Sequence, residues 1–162
     1  MRRAGLNQAA IGFRAKTGRA IAVLLAGPID SPRAVRRLEV TLTAPDLPAT
    51  AQPFHEVMEL PWEKAIAAAR KTEAAIEAVA AQAIKQLVRE ARTAGLDVTG
   101  IGVVGSQDRD LSAIGNPHIR AHAAEGILFR HVLATAAWLA LGLRLRPDRV
   151  TASFTSSCRL AK

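Results

Sequence analysis

One stretch, Asn116 to Gly142 (NPHIRAHAAEGILFRHVLATAAWLALG), constrains this chain more than any other. Asn116 is suited to cap a helix, Pro117 to open one because its missing N–H would be unpaired anyway, and Gly142 to end one. At 100° per residue Ala121, Leu128, Val132, Leu133, Ala136, Leu139 and Ala140 fall on one face, with Arg120, Arg130, His131 and Trp138 turned away from it. His118, His122 and Glu125, spaced i, i+4, i+7, lie on the apolar face in the first two turns. Three titratable groups in a core cost several kcal/mol (order of magnitude) unless they pair with one another or open onto a cleft. The helix is therefore expected to line a cavity with its first turns.

At 162 residues the chain is read as one domain, with residues 1–8 and 155–162 as loose tails. Hydrophobic residues make up 49% and charged residues 22%, which argues for a folded core over disorder. No apolar run reaches the ~20 residues of a membrane helix, and charges interrupt the N-terminal segment, so a cytoplasmic protein with no membrane partner is expected. A single cysteine, Cys158, excludes an intrachain disulfide and a cysteine-built metal site.

The formal net charge of +8 favours phosphate-bearing partners. Residues 1–40 hold eight basic residues against Asp30 and Glu39, and so carry +6 of that total. Arg14, Lys16, Arg19, Arg36 and Arg37 are the candidate nucleic-acid contacts, for DNA or RNA. With aromatic residues at 4% and no tyrosine, a base-stacking platform for single strands is disfavoured.

In chain order, Ala9–Ala15 and Arg19–Gly27 read as a β-hairpin closed by Lys16-Thr17-Gly18. The second strand is apolar on both faces, so it is expected inside the sheet and covered on both sides. Arg37–Thr43 alternates as a third strand. A proline-rich connection from Ala44 to Pro61 reads as irregular and carries His55, Glu56 and Glu59. Helical periodicity runs from about Trp62 to Ala94, and Gly95 stops it. Val98–Gly105 has the composition of a parallel strand reached by a crossover, and Arg149–Phe154 that of a final strand.

The element order β-β-β-α-β-α-β lays out most simply as a mixed five-stranded α/β sheet, strand order 3-2-1-4-5, with helices on its faces. This architecture resembles the ribonuclease H-like superfamily. Ile11-Gly12 with Thr17-Gly18-Arg19 and Ile21-Ala22-Val23 resembles the first hairpin of its Holliday-junction resolvase branch, and His122-Ala123-Ala124-Glu125-Gly126 resembles a pattern on that branch's last helix. The resemblance implies a cleft at the carboxyl ends of the parallel strands, lined by His118, His55, Ser106, Asp108 and Asp110, where acidic residues hold divalent cations. The first strand carries Phe13, Arg14 and Ala15 where the family's aspartate belongs, so the expectation is a nucleic-acid-binding, catalytically degenerate domain.

Two alternatives come from the residues themselves. His118, His122 and Glu125 have the reach to bind zinc, with His55 needed as a fourth ligand, which would make a metal-dependent hydrolase; His122 oriented by Glu125 could also act as a general acid or base. The other alternative is a non-enzymatic protein that self-associates through the side of the last helix bearing Trp138, Ile127 and Leu141.

Overall fold

A computed structural model of the protein describes residues 7–105 and 108–141. Within them four strands and two long helices form an α/β unit: β1 (Asn7–Lys16), β2 (Arg19–Ala26), β3 (Arg33–Thr41), α1 (Trp62–Thr93), β4 (Leu96–Val104) and α2 (Pro117–Leu141). The sheet order is β3-β2-β1-β4, with β1–β2 and β2–β3 antiparallel and β1–β4 parallel. This is the expected layout of the first four strands. Arg149–Phe154, the expected fifth strand, lies outside the described residues, as do Ser106, Cys158 and both tails.

The hairpin turns on Thr17-Gly18, and Gly18 takes a φ of +72°, a region that side-chain-bearing residues rarely enter. Its carbonyl accepts from Leu42 N at 2.9 Å, and a Cβ built on it would lie 3.3 Å from both Ala51 O and Thr43 Cγ2. The turn is thus pressed against the segment that leads to His55. Gly18→Val is expected to destabilise the protein by about 1–3 kcal/mol through backbone strain and this contact, read as a lower midpoint in urea unfolding. An unchanged midpoint would mean that the turn is free to move away from residue 51.

The strand faces divide sharply. Ala9, Ile11 and Phe13 of β1, Ala20 and Ala22 of β2, Val40 of β3 and Val98 of β4 are buried on one face. Ile76, Ala80 and Ile84 of α1 and Phe129, Val132, Leu133 and Ala136 of α2 pack into the same cluster. Both helices therefore cover one face of the sheet, which corrects the expectation of helices on either side. The opposite face carries Gly12, Gly100 and Gly102 with Arg14, Lys16 and Arg37, and offers a helix few apolar side chains to bury. Strand β2 does sit inside the sheet, but its Ile21, Val23 and Leu25 are only half-buried.

Strand β3 starts four residues earlier than its alternating pattern suggests, because an edge strand can extend its backbone ladder under polar side chains. Arg36 leaves this edge to meet Glu90 of α1 at 2.6 Å. Hydrogen bonds from the Gln86 amide and the Arg36 guanidinium hold the Glu90 carboxyl below the ordinary range. A lowered folded-state value means that this contribution is present above the ordinary carboxylate pKa and fades as pH falls through the lower one.

Helix α1 ends with Gly95 at φ +79°, and α2 begins under Asn116, whose Oδ1 accepts from Ile119 N at 3.1 Å. The buried face of α2 differs from its helical-wheel assignment. Phe129 is fully buried and Leu139 is 66% exposed, so Leu139 does not belong to the core face. Length and composition alone would let α2 cross a membrane, yet its buried residues pack into the core just described. Gly126 has no neighbour within 4 Å of a Cβ position, so it does not serve close helix–strand approach.

Candidate functional site

The connection between β3 and α1 is wound as successive tight turns rather than lying irregularly on the surface. Backbone bonds Leu47 N→Ala44 O, Thr50 N→Leu47 O, Ala51 N→Pro48 O and Glu56 N→Gln52 O run through it. Thr50 is fully buried; its Oγ1 accepts from Ala44 N at 2.9 Å and donates to Leu47 O at 2.7 Å. These bonds explain why four prolines do not loosen the segment: each turn finds its carbonyl partner without the missing N–H groups. The result is to bring Phe54 and His55 against the first turns of α2.

Three aromatic and cationic groups hold that junction. Phe54 and Trp62 lie with ring centroids 5.7 Å apart, and the Arg120 guanidinium sits 5.0 Å from the Trp62 ring centre. Arg120 also donates to Ile114 O at 3.3 Å. The helical period turned Arg120 and Arg130 away from the apolar face; both are nevertheless half-buried. Arg130 folds over the backbone of Gly105, where a Cβ would collide with its side chain, and pairs with Asp108.

Glu125 is the centre of the arrangement. It is fully buried, and one carboxylate oxygen, Oε1, accepts from Phe54 N at 3.2 Å, His55 N at 3.1 Å and His55 Nδ1 at 2.8 Å. An oxygen that already receives two backbone N–H groups acts as an acceptor, so the geometry orients a His55 Nδ1–H toward it. His55 Nε2 is buried and has no hydrogen-bond partner among the described residues, and neither does Glu125 Oε2.

His118 and His122 complete the cluster from the solvent side. The ring centroids are 4.9 Å apart for His55–His118, 4.4 Å for His55–His122 and 4.7 Å for His118–His122, all edge to face. One ring nitrogen from each of the three lies within 4.8 Å of the others. The residues expected in the cleft thus separate. His55, His118 and His122 converge, and Glu125 stands behind His55 rather than beside the other two. Asp108 is committed to Arg130, and Asp110 caps a short turn through Ser112 N at 3.0 Å and Ser112 Oγ at 2.6 Å, which hold its carboxyl below the usual range. Neither aspartate joins the histidines.

His55 was legible only as a distant supplement, because nothing in its local sequence ties it to α2. Glu73, Glu77 and His131 form a second group of nearby ligand atoms between α1 and α2, and the sequence reading did not anticipate it. Its i, i+4 glutamates on α1 were the available signal.

The bare sheet face is the other feature with functional potential. Arg14, Lys16 and Arg37 line a shallow depression of about 480 Å³ with Gly12, Ile21, Val23 and Val104. Among the described residues no carboxylate pairs with any of these three cations. Of the other expected contacts, Arg19 lies 3.5 Å from Glu39 and Arg36 is engaged by Glu90. Trp138, Ile127 and Leu141 are half-buried rather than forming an open apolar row. The chain matches no family model, no curated protein and no solved structure.

Proposed function

We propose that the protein is a nucleic-acid-binding α/β domain that holds the backbone of a duplex on the sheet face that the described residues leave uncovered. The observation that carries this reading is the set of three cations, Arg14, Lys16 and Arg37, that no carboxylate among the described residues pairs with, over a floor that includes Gly12. A glycine floor lets a sugar-phosphate strand approach the backbone closely. Among the described residues the depression's one aromatic neighbour, Phe13, is 1% exposed and faces the core, so the contacts are electrostatic rather than base-stacking.

The same reading extends to the fold. The β3-β2-β1-β4 order, with an opening hairpin and a parallel crossover, supports a ribonuclease H-like sheet of five strands, order 3-2-1-4-5, in the complete protein. Arg14 on the first strand opposes the carboxylate-held cations of that family's nucleases, so binding without their cleavage chemistry is the function proposed.

Three phosphate contacts would give log K against log salt a slope of about −3 and weaken duplex binding about 40-fold between roughly 50 and 200 mM salt. Anisotropy of a short labelled duplex measures this directly. Arg14→Ala with Arg37→Ala is expected to reduce the slope to about −1. A slope near zero in the wild type, or an unchanged slope in the double variant, would end the proposal.

A further inference from the structure

The geometry points to a second site, a divalent-metal centre of the zinc class held by His55, His118 and His122, with Glu125 as the positioning residue behind His55. It is independent of nucleic-acid binding, since it uses none of the residues of the sheet face.

The argument begins with a cost. Three imidazoles share one small volume, and no hydrogen bond joins any ring to another, although each ring can donate and accept. His55 is the most constrained. Its Nδ1 faces a carboxylate oxygen and so carries the proton, which leaves Nε2 as a lone pair. That lone pair is buried with no donor for it among the described residues. A buried acceptor without a donor is destabilising, and a metal ion removes that cost.

Carboxylate, imidazole and ion in series is also the arrangement that metal-binding histidines require. The carboxylate fixes the tautomer and ring direction and raises the basicity of the coordinating nitrogen. Glu125 does this from a fully buried position, with two backbone N–H groups fixing its Oε1.

The distances suit an ion after small side-chain adjustment. Nitrogens around a tetrahedral ion at about 2.0–2.1 Å stand about 3.3 Å apart, and the three here already lie within 4.8 Å of one another. His118 and His122 project from successive turns of one helix, so modest rotations about their side-chain bonds close the difference. Imidazole nitrogens select borderline ions such as zinc over magnesium or calcium, which prefer oxygen.

Three protein ligands leave a fourth position open. His118 and His122 are exposed, so that position faces water and an ion can enter from solvent. Such a centre binds a water molecule and makes it more acidic. Glu125 is thereby assigned to support rather than to direct coordination, and His55 to coordination.

The test uses the full chain stripped of metal with a chelator, with Co²⁺ as the optical probe and Zn²⁺ in calorimetry. The expected result is visible d–d absorption and one tight site per chain that depends on the histidines. His118→Ala and His122→Ala, both exposed, are expected to weaken binding at least about 100-fold while leaving the thermal midpoint of the metal-free protein unchanged. Glu125→Gln is expected to weaken it about 10–100-fold. Long-range proton–nitrogen NMR of the metal-free protein should show His55 protonated at Nδ1, and Glu125→Gln should release that preference. Absence of both the Co²⁺ bands and Zn²⁺ heat overturns the proposal, as does wild-type affinity in His122→Ala or His55 protonated at Nε2. His131→Ala run in parallel identifies the other histidine cluster: loss of the metal in that variant alone also overturns it.

Discussion

Glu125→Ala is expected to lower the unfolding free energy of the metal-free protein by about 3–5 kcal/mol, the range for removing one partner of a buried charged network. The substitution leaves Phe54 N, His55 N and His55 Nδ1 without the oxygen they share. All three donors lie on the connection between β3 and α1, so the loss is concentrated where that segment meets α2. Each donor left unmatched in a buried position adds about 1–3 kcal/mol of desolvation cost, reduced where the loop can yield and admit water. Urea denaturation followed by circular dichroism measures the change. A loss below about 1 kcal/mol would show that the Phe54–Trp62–Arg120 contacts anchor the segment by themselves.

Phe129→Ala is expected to cost a similar amount, about 3–5 kcal/mol, by a different route. Phe129 has no exposed surface and packs within the cluster formed by the sheet, α1 and α2. Its removal forfeits the transfer free energy of a ring and leaves a cavity that neighbouring strands, tied by their ladders, cannot close. Leu139→Ala on the same helix is the matched control: at 66% exposure it should change stability by less than about 0.5 kcal/mol. Equal losses for the two would mean that α2 is rotated from its described position. The comparison also isolates the point on which the helical wheel and the structure disagree, since the wheel put Leu139 rather than Phe129 on the core face.

The error has a physical source. A mean turn of 100° accumulates uncertainty along a 25-residue helix, and α2 is apolar over most of its surface, so pattern alone selects its inner face weakly. Near its N-terminus, where Asn116 and Pro117 set the start, Ala121 and Glu125 were placed correctly on the inward face, whereas His118 and His122, assigned to the same face, are exposed. Arg120 and Arg130 were misjudged for another reason. Long side chains can lay their stems against a partner, here Trp62 and the bare backbone of Gly105, while their charge is still satisfied.

The four described strands and two long helices, and the order in which those strands pair, were legible in the residues. Alternation in β1, the apolar run of β2, Gly18 at the turn, Gly95 at the end of α1 and the Asn116-Pro117 start of α2 are local signals, and each acts within a few residues of itself. Two things were decided by tertiary structure alone. Which side of the sheet stays bare depends on where both helices find apolar partners, and that is a property of the assembled core. The union of His55 with His118 and His122 depends on Glu125, which reaches across 70 positions of sequence to the His55 ring; a contact between residues so far apart leaves no local pattern, because only the folded chain brings its two ends into range.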